Sequence, residues 1–222
     1  MIIAVDGPAG AGKSTIARLL AAALGFLYVD TGAMYRAFTL KALRERVDFS
    51  DVPALAVLAR RTAISLCPSG AGDLKVLLDG SDVSAQIRTP ELTNAVFNVA
   101  QLPEIRAIMV EWQREYGKRQ SLVMEGRDIG TVVFPQAEVK IYLDASAQIR
   151  ARRRVAQLAA KGIGVDEAQT VREIEARDEK DFTRAVGPLR RAADAFYLDS
   201  SSLTIPQVVD TLLAHVNAQR SK

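Results

Sequence analysis

A chain of 222 residues, 49% of them apolar, can bury one sizeable core, and its length suits one or two domains. Charged residues make up 25% and the formal net charge is +3, an ordinary globular balance that excludes a nucleic-acid-coating protein and leaves a small basic surplus for phosphate ligands. One cysteine, Cys67, excludes an intramolecular disulfide, and no leader-like or membrane-spanning segment is read, so a cytoplasmic monomer without nucleic-acid or membrane partners is expected.

Met1 to Val5 is too short for a helix and rich in β-branched residues, and Asp6 and a glycine-rich turn follow it, which predicts a buried strand. From Lys13 to Leu24 the pattern is helical, with Gly25 placed to end the helix. Phe26 to Val29 predicts a second strand, Asp30-Thr31-Gly32 a turn, and Met34 to Glu45 a helix. This alternation predicts an α/β fold around a parallel sheet. The middle differs: Ala63 to Leu66, Leu74 to Leu78, the Asp79-Gly80 turn and Ser81 to Val83 predict a small antiparallel ribbon, inserted into the alternation.

Two helices follow, with Pro90 and Pro103 near their first positions and Thr89 as cap of the former. Ser121 to Met124, Val139 to Leu143 and Ala195 to Leu198 predict the third, fourth and fifth strands of the main sheet. Helices are predicted over Ala147 to Lys161, Asp166 to Asp178 and Ile205 to Asn217, the last opened by Thr204 and Gln207 in capping-box spacing. Trp112 shares a helical stripe with Ile105, Met109 and Tyr116, which reads as core, and His215 reads as a surface or capping residue.

Gly7-Pro8-Ala9-Gly10-Ala11-Gly12-Lys13-Ser14 satisfies GxxxxGK[ST] between a predicted strand and a predicted helix, the context that gives this pattern its meaning. Its glycines let backbone N–H groups converge on a polyphosphate, and the helix start adds its positive dipole end. Lys13 can reach the β- and γ-phosphates of ATP, Ser14 can contact Mg²⁺, and Thr15 completes the set. The loop alone does not separate a kinase from a GTPase or a regulatory nucleotide binder. An NKxD segment, expected of a guanine reader, is absent.

With Asp30-Thr31-Gly32-Ala33-Met34-Tyr35-Arg36, Glu125-Gly126-Arg127-Asp128-Ile129-Gly130-Thr131, and Arg177-Asp178 through Asp181 to Arg184-Ala185-Val186-Gly187-Pro188-Leu189, the chain resembles the bacterial cytidylate kinases. The resemblance includes the insertion, through Asp82-Val83-Ser84 and Ile87-Arg88-Thr89-Pro90-Glu91. It implies a P-loop kinase fold with a five-stranded parallel sheet flanked by helices, and ATP-dependent phosphorylation of CMP and dCMP. It also implies a core of about residues 1–30, 103–150 and 180–222, a monophosphate-binding domain of about 31–102 and a lid of about 151–179. By the same resemblance Thr31, Tyr35, Arg36, Arg106, Arg127, Asp128, Arg177, Asp181 and Arg184 line the CMP site.

The residue types suit that assignment. A nucleoside monophosphate is a dianion, and the guanidinium forks of Arg36, Arg127 and Arg184 suit its oxygens. Asp128 can accept from the cytosine amine while Arg106 donates to a ring acceptor. Arg127 and Asp128 directly follow a predicted strand, at the sheet edge where ligands usually bind. Arg36 also suits a solvated helix face. Of the run Arg150, Arg152, Arg153 and Arg154, helical periodicity puts the first, third and fourth on one side. The resemblance, in which this segment begins the lid, implies that one or two of these arginines, Arg153 taken as the candidate, cover the transferred phosphoryl group. Phe97 stands where members of that family commonly carry a serine near the base.

Overall fold

The computed structural model describes residues 1–69, 73–160 and 162–220. In chain order β1 (Ile2–Asp6) leads through the glycine loop into α1 (Lys13–Leu24), then β2 (Leu27–Asp30), α2 (Thr31–Arg44) and α3 (Val52–Arg61). The insertion holds β3 (Ile64–Ser69), β4 (Asp73–Leu78) and β5 (Ser81–Asp82), followed by α4 (Pro90–Ala100) and α5 (Pro103–Arg119). β6 (Leu122–Gly126) precedes a wide helical turn at Ile129–Val133 and β7 (Val139–Asp144). A helical pair, α6 (Ala147–Ala159) and α7 (Glu167–Thr183), precedes β8 (Phe196–Asp199) and α8 (Ile205–Arg220).

The main sheet runs β2-β6-β1-β7-β8 with every neighbouring pair parallel, and β3, β4 and β5 form a separate antiparallel sheet. Its central strands are buried on both faces, which is why they read as unbroken apolar runs. On one face Ile16 and Leu20 of α1 and Val208, Leu212 and Val216 of α8 cover Ile3, Val5, Val123 and Ile141. On the other, Met34 of α2 and Leu66, Val76 and Leu78 of the ribbon pack on Ala4, Val29, Leu122 and Met124. A third cluster joins Phe38, Leu55, Leu58, Ile105 and Met109, so the stripe that carries Trp112 is core. Removing one of these large side chains is expected to cost about 2–5 kcal/mol.

Several boundaries move. Asp30-Thr31-Gly32 is no turn: the Asp30 side chain accepts from Ala33 N at 2.9 Å and caps a helix that begins at Thr31. α7 continues to Thr183, past the predicted end at Asp178, because Asp178 and Asp181 turn inward to Arg150 and Arg127. The far end predicted for α6, Lys161, lies outside the described residues. α3 was not predicted, although Asp51 caps it and Leu55, Leu58 and Ala59 have helical spacing. His215 stacks on Phe196 with ring centroids 4.2 Å apart. No helix among the described residues is long and apolar enough to cross a membrane.

Candidate active site

Parallel strands deliver their carboxyl ends to one edge. Asp6 lies level with Gly126 across β1 and β6, and Asp30 level with Glu125 across β2 and β6. The glycine loop leaves that edge at Gly7, where a Cβ would overlap the backbone carbonyl of Leu143, so only glycine lets the loop pass so close to β7. Lys13, buried in the first turn of α1, donates to the Pro8 carbonyl at 2.7 Å. Burial, then the like charge of Arg127, lowers its ammonium to about 7.

Behind the loop lies a second layer. Thr31 Oγ1 donates to the Glu125 carbonyl at 2.7 Å, and Tyr28 donates its hydroxyl to the Glu125 carboxylate at 2.5 Å. Ser14 lies close to both Tyr28 and Glu125. Burial, then the charge of Asp30, raises the Glu125 carboxyl. Asp6, also buried, accepts from the N–H groups of Ile129 and Gly130, each at 2.8 Å.

Five segments bring a cluster of charged side chains together beside the loop. Arg106 of α5 bonds Asp128, lies 5.9 Å from the Tyr35 ring and donates to the Ala100 carbonyl at 3.2 Å. Burial is the main reason the Tyr35 hydroxyl rises to about 12. Arg184 reaches Asp128 at 3.6 Å and Asp181 at 3.9 Å, and its Nε donates to the Gly187 carbonyl at 2.5 Å. Gly187 has φ +58°, and a Cβ there would collide with Arg106 and Asp128. Arg127 Nε bonds Asp181 at 2.8 Å, and Arg36 bonds Asp30 at 3.0 Å.

The ion pairs leave some groups unused. Arg36 Nε, Arg106 Nε and Arg184 Nη2 are buried without a hydrogen-bond partner among the described residues. Arg177 adds another cation, whose guanidinium is lowered to about 10 by desolvation and then by Arg127. Although Arg177 and Asp181 are four apart on α7, Asp181 is held by Arg127. Burial pushes the Asp181 carboxyl up, but Arg127, Arg184 and Arg177 outweigh it and hold it low. Counting Arg106, Arg127, Arg177 and Arg184 against Asp128 and Asp181 leaves two positive charges over, the complement of a phosphate dianion.

Not every expected residue joins this cluster. Arg153 donates to the Ser200 carbonyl at 2.7 Å, to Ser200 Oγ at 3.2 Å and to the Ala11 carbonyl at 3.3 Å, so it braces the loop from the β8 side. Arg150 is a buried strut, bonding the Ala9 carbonyl at 2.9 Å, the Ala145 carbonyl at 2.8 Å and Asp178 at 2.6 Å. Arg152 faces outward to Glu167. Phe97 carries the Lys180 ammonium 5.4 Å from its ring centre, joining α4 to α7. Sequence reasoning missed Asp6, Tyr28 and Glu125 as site residues. The position of Asp6 and Glu125 at the carboxyl ends of buried strands was the available signal.

Residues 3–218 match the family model for cytidylate kinase. A cytidylate kinase of Pelotomaculum thermopropionicum is 55% identical over 218 residues, which cover 98% of this chain and 96% of that one. One of Desulforamulus reducens is 53% identical over 215 residues, 96% of each chain. Among solved structures, shikimate kinase from Bacteroides thetaiotaomicron aligns with a TM-score of 0.50 at 13% identity, over 98% of both chains. An uncharacterized protein from Eubacterium ventriosum aligns with 0.52 at 13%, again over 98% of both. At such identity these two structures speak to the fold alone.

Proposed function

This chain belongs to the cytidylate kinase family and transfers a phosphoryl group from ATP to CMP, and we propose that the arginine-lined cleft beside the glycine loop binds the acceptor. The observation that carries this reading is the set of buried nitrogen atoms on Arg36, Arg106 and Arg184 that have no hydrogen-bond partner among the described residues. A buried donor left unpaired costs about 1–3 kcal/mol, and a ligand rich in oxygen removes that cost.

In this reading Gly7 through Thr15 hold the ATP phosphates, with Lys13 on the β- and γ-phosphates. Arg36, Arg127 and Arg184 clamp the acceptor phosphate, Arg106 and Asp128 read the base between Tyr35 and Thr31, and Arg177 and Asp181 stand by the sugar. Residues of about 31–102 form the monophosphate-binding part and about 151–179 the lid. dCMP is a second acceptor. Every residue used comes from one chain, so a monomer suffices, and the cytoplasm, where Cys67 stays a thiol, is the favoured compartment.

The hydroxyl of Ser14, backed by the Glu125 carboxylate, suits a hard cation shared with phosphate oxygens and water. Mg²⁺ held there would neutralise charge between the donor phosphates. The acceptor phosphate is already an anionic nucleophile, so no general base is needed. The chain's own work is to align donor and acceptor and to meet the developing charge with Lys13, Arg127 and Arg184, joined by Arg153 once it leaves Ser200 and the Ala11 carbonyl, where one well-placed arginine supplies about 10³- to 10⁵-fold. Closing the lid excludes water, the competing acceptor.

A screen of ADP release over CMP, dCMP, UMP, AMP, GMP and shikimate tests the acceptor. CMP and dCMP should stand well above the rest. Equal rates with UMP or shikimate would remove the assigned base-reading role of Arg106 and Asp128.

A further inference from the structure

We propose that Asp6 is a positioning residue for phosphoryl transfer, whose carboxylate sets the distance between the donor loop and the Arg127–Asp128 turn. The inference rests on the assignment of Lys13 to the donor and of Arg127 and Asp128 to the acceptor.

The geometry begins with two parallel strands. β1 and β6 are in register as far as Asp6 and Gly126, and there the ladder ends. Beyond it one strand becomes the glycine loop and the other becomes Arg127 and Asp128, so the two halves of the reaction hang from neighbouring strands with no ladder between them. Asp6 closes that gap. Its Oδ1 accepts from Ile129 N and its Oδ2 from Gly130 N, both at 2.8 Å. Those N–H groups open the turn Ile129–Val133, where a helical start leaves donors unmatched and attracts an anion. Arg114 secures the far end, donating to the carbonyls of Val132 at 2.8 Å and Val133 at 2.9 Å. The turn is therefore gripped at both ends, and the grip nearest the reaction belongs to the residue that immediately precedes Gly7.

A cap alone does not require a charge here. Asp6 is 5% exposed and has no guanidinium partner among the described residues, and burying a carboxylate in that way is costly where a neutral side chain could take one of the two N–H groups. Burial raises its carboxyl to about 6, the two amide bonds and Lys13 of α1 pull it down, and Asp128 across the turn pushes it up; Tyr142 of β7 lies in register beside it. The carboxylate thus feels the charge of Lys13, the donor residue, while holding the peptide groups that follow Asp128. Both oxygens are used, so the turn is fixed in angle as well as distance. A shift of about 1 Å between reacting groups can lower the rate about 10²-fold.

Asp6→Asn and Asp6→Ser test this, with kcat from ADP release and Kd measured separately for CMP and for a non-hydrolysable ATP analogue. The expected result is a kcat lowered about 10- to 100-fold while both Kd values stay within about threefold of the natural protein. A kcat within about threefold, or a loss matched by weaker binding of either nucleotide, overturns the proposal. Should neither variant fold, amide exchange in the natural protein decides: Ile129 and Gly130 should exchange about as slowly as the β1 amides, and exchange as fast as an exposed loop overturns the proposal. Failure of the site assignment looks different. There Lys13→Ala and Arg127→Ala would leave turnover with CMP intact, whereas unaltered Asp6 variants beside inactive Lys13 and Arg127 variants would remove this inference alone.

Discussion

The glycine loop and the arginine cleft, the two sites proposed to hold phosphate, are built from different materials. The loop is a contiguous run whose donors are peptide N–H groups, which carry no net charge and whose arrangement is set by glycine backbone angles such as φ +80° at Gly10 and φ +93° at Gly12. The cleft gathers guanidinium groups from α2, α5, α7, the turn after β6 and the segment after α7, and these repel one another unless carboxylates intervene. Asp128 and Asp181 are those carboxylates. A site made of main chain can be shaped in advance at little electrostatic cost, whereas a site made of arginines has to be partly neutralised from within.

The largest effect expected from this contrast is the separation of donor and acceptor functions. Lys13→Ala should lower kcat about 10³-fold or more while CMP still binds in a titration, because the cleft keeps its own clamps. Loss of CMP binding in that variant would mean that loop and cleft are one charge network. Next is internal neutralisation. Asp128→Ala leaves Arg106 and Arg184 facing each other without their shared carboxylate, and breaking a buried pair in this way costs about 3–5 kcal/mol. Urea unfolding should show that loss, and the kcat/KM preference for CMP over UMP should fall with it. A stable variant with unchanged preference would remove Asp128 from both roles.

The same reasoning predicts which half responds to its ligand when folded stability is measured. At about a hundredfold its Kd, CMP should stabilise the protein by about 2.7 kcal/mol, the mass-action value. Sulfate should reproduce part of that gain over chloride at equal ionic strength. In Arg127→Ala the sulfate gain should shrink if the surplus charge resides in the cleft, and an undiminished gain would place the anion at the glycine loop.

The contrast in materials also explains what could be read in advance. The loop was legible because its donors, its lysine and its helix lie in one run of sequence. The central parallel strands were legible because burial on both faces leaves short apolar runs. The cleft was legible residue by residue only through family resemblance, since Arg106 and Asp128 are 22 positions apart and Arg127 and Asp181 are 54 apart. Asp6 was legible as the end of a strand, but its bonds reach across 123 and 124 positions. α3 was missed although its spacing was present, and Arg150 gave no sign that it would tie Ala9 to Asp178.

The smallest expected effect concerns the sugar, and here the cleft's dual use of carboxylates matters most. Asp181 Oδ2 is taken by Arg127 Nε at 2.8 Å, while Oδ1 stands 3.9 Å from Arg184 Nη1, too far for a hydrogen bond. One oxygen therefore holds Arg127, the proposed phosphate clamp, and the other is available to a hydroxyl. Asp181→Ala should then lower kcat/KM on CMP and dCMP together, because Arg127 loses its partner, and should lower it further on CMP, because only the ribonucleotide offers a 2′-hydroxyl. A hydrogen bond to a charged group is worth about 1.5–3 kcal/mol, so the additional loss on CMP should be about tenfold or more. Asp181→Asn separates the two parts, since it keeps an acceptor for the hydroxyl while removing the charge that holds Arg127. Its loss should therefore be shared more evenly between the two substrates. Equal losses on CMP and dCMP in the alanine variant would leave Asp181 as the neutralising carboxylate alone, and the reading of the 2′ position would pass to another residue of the cleft.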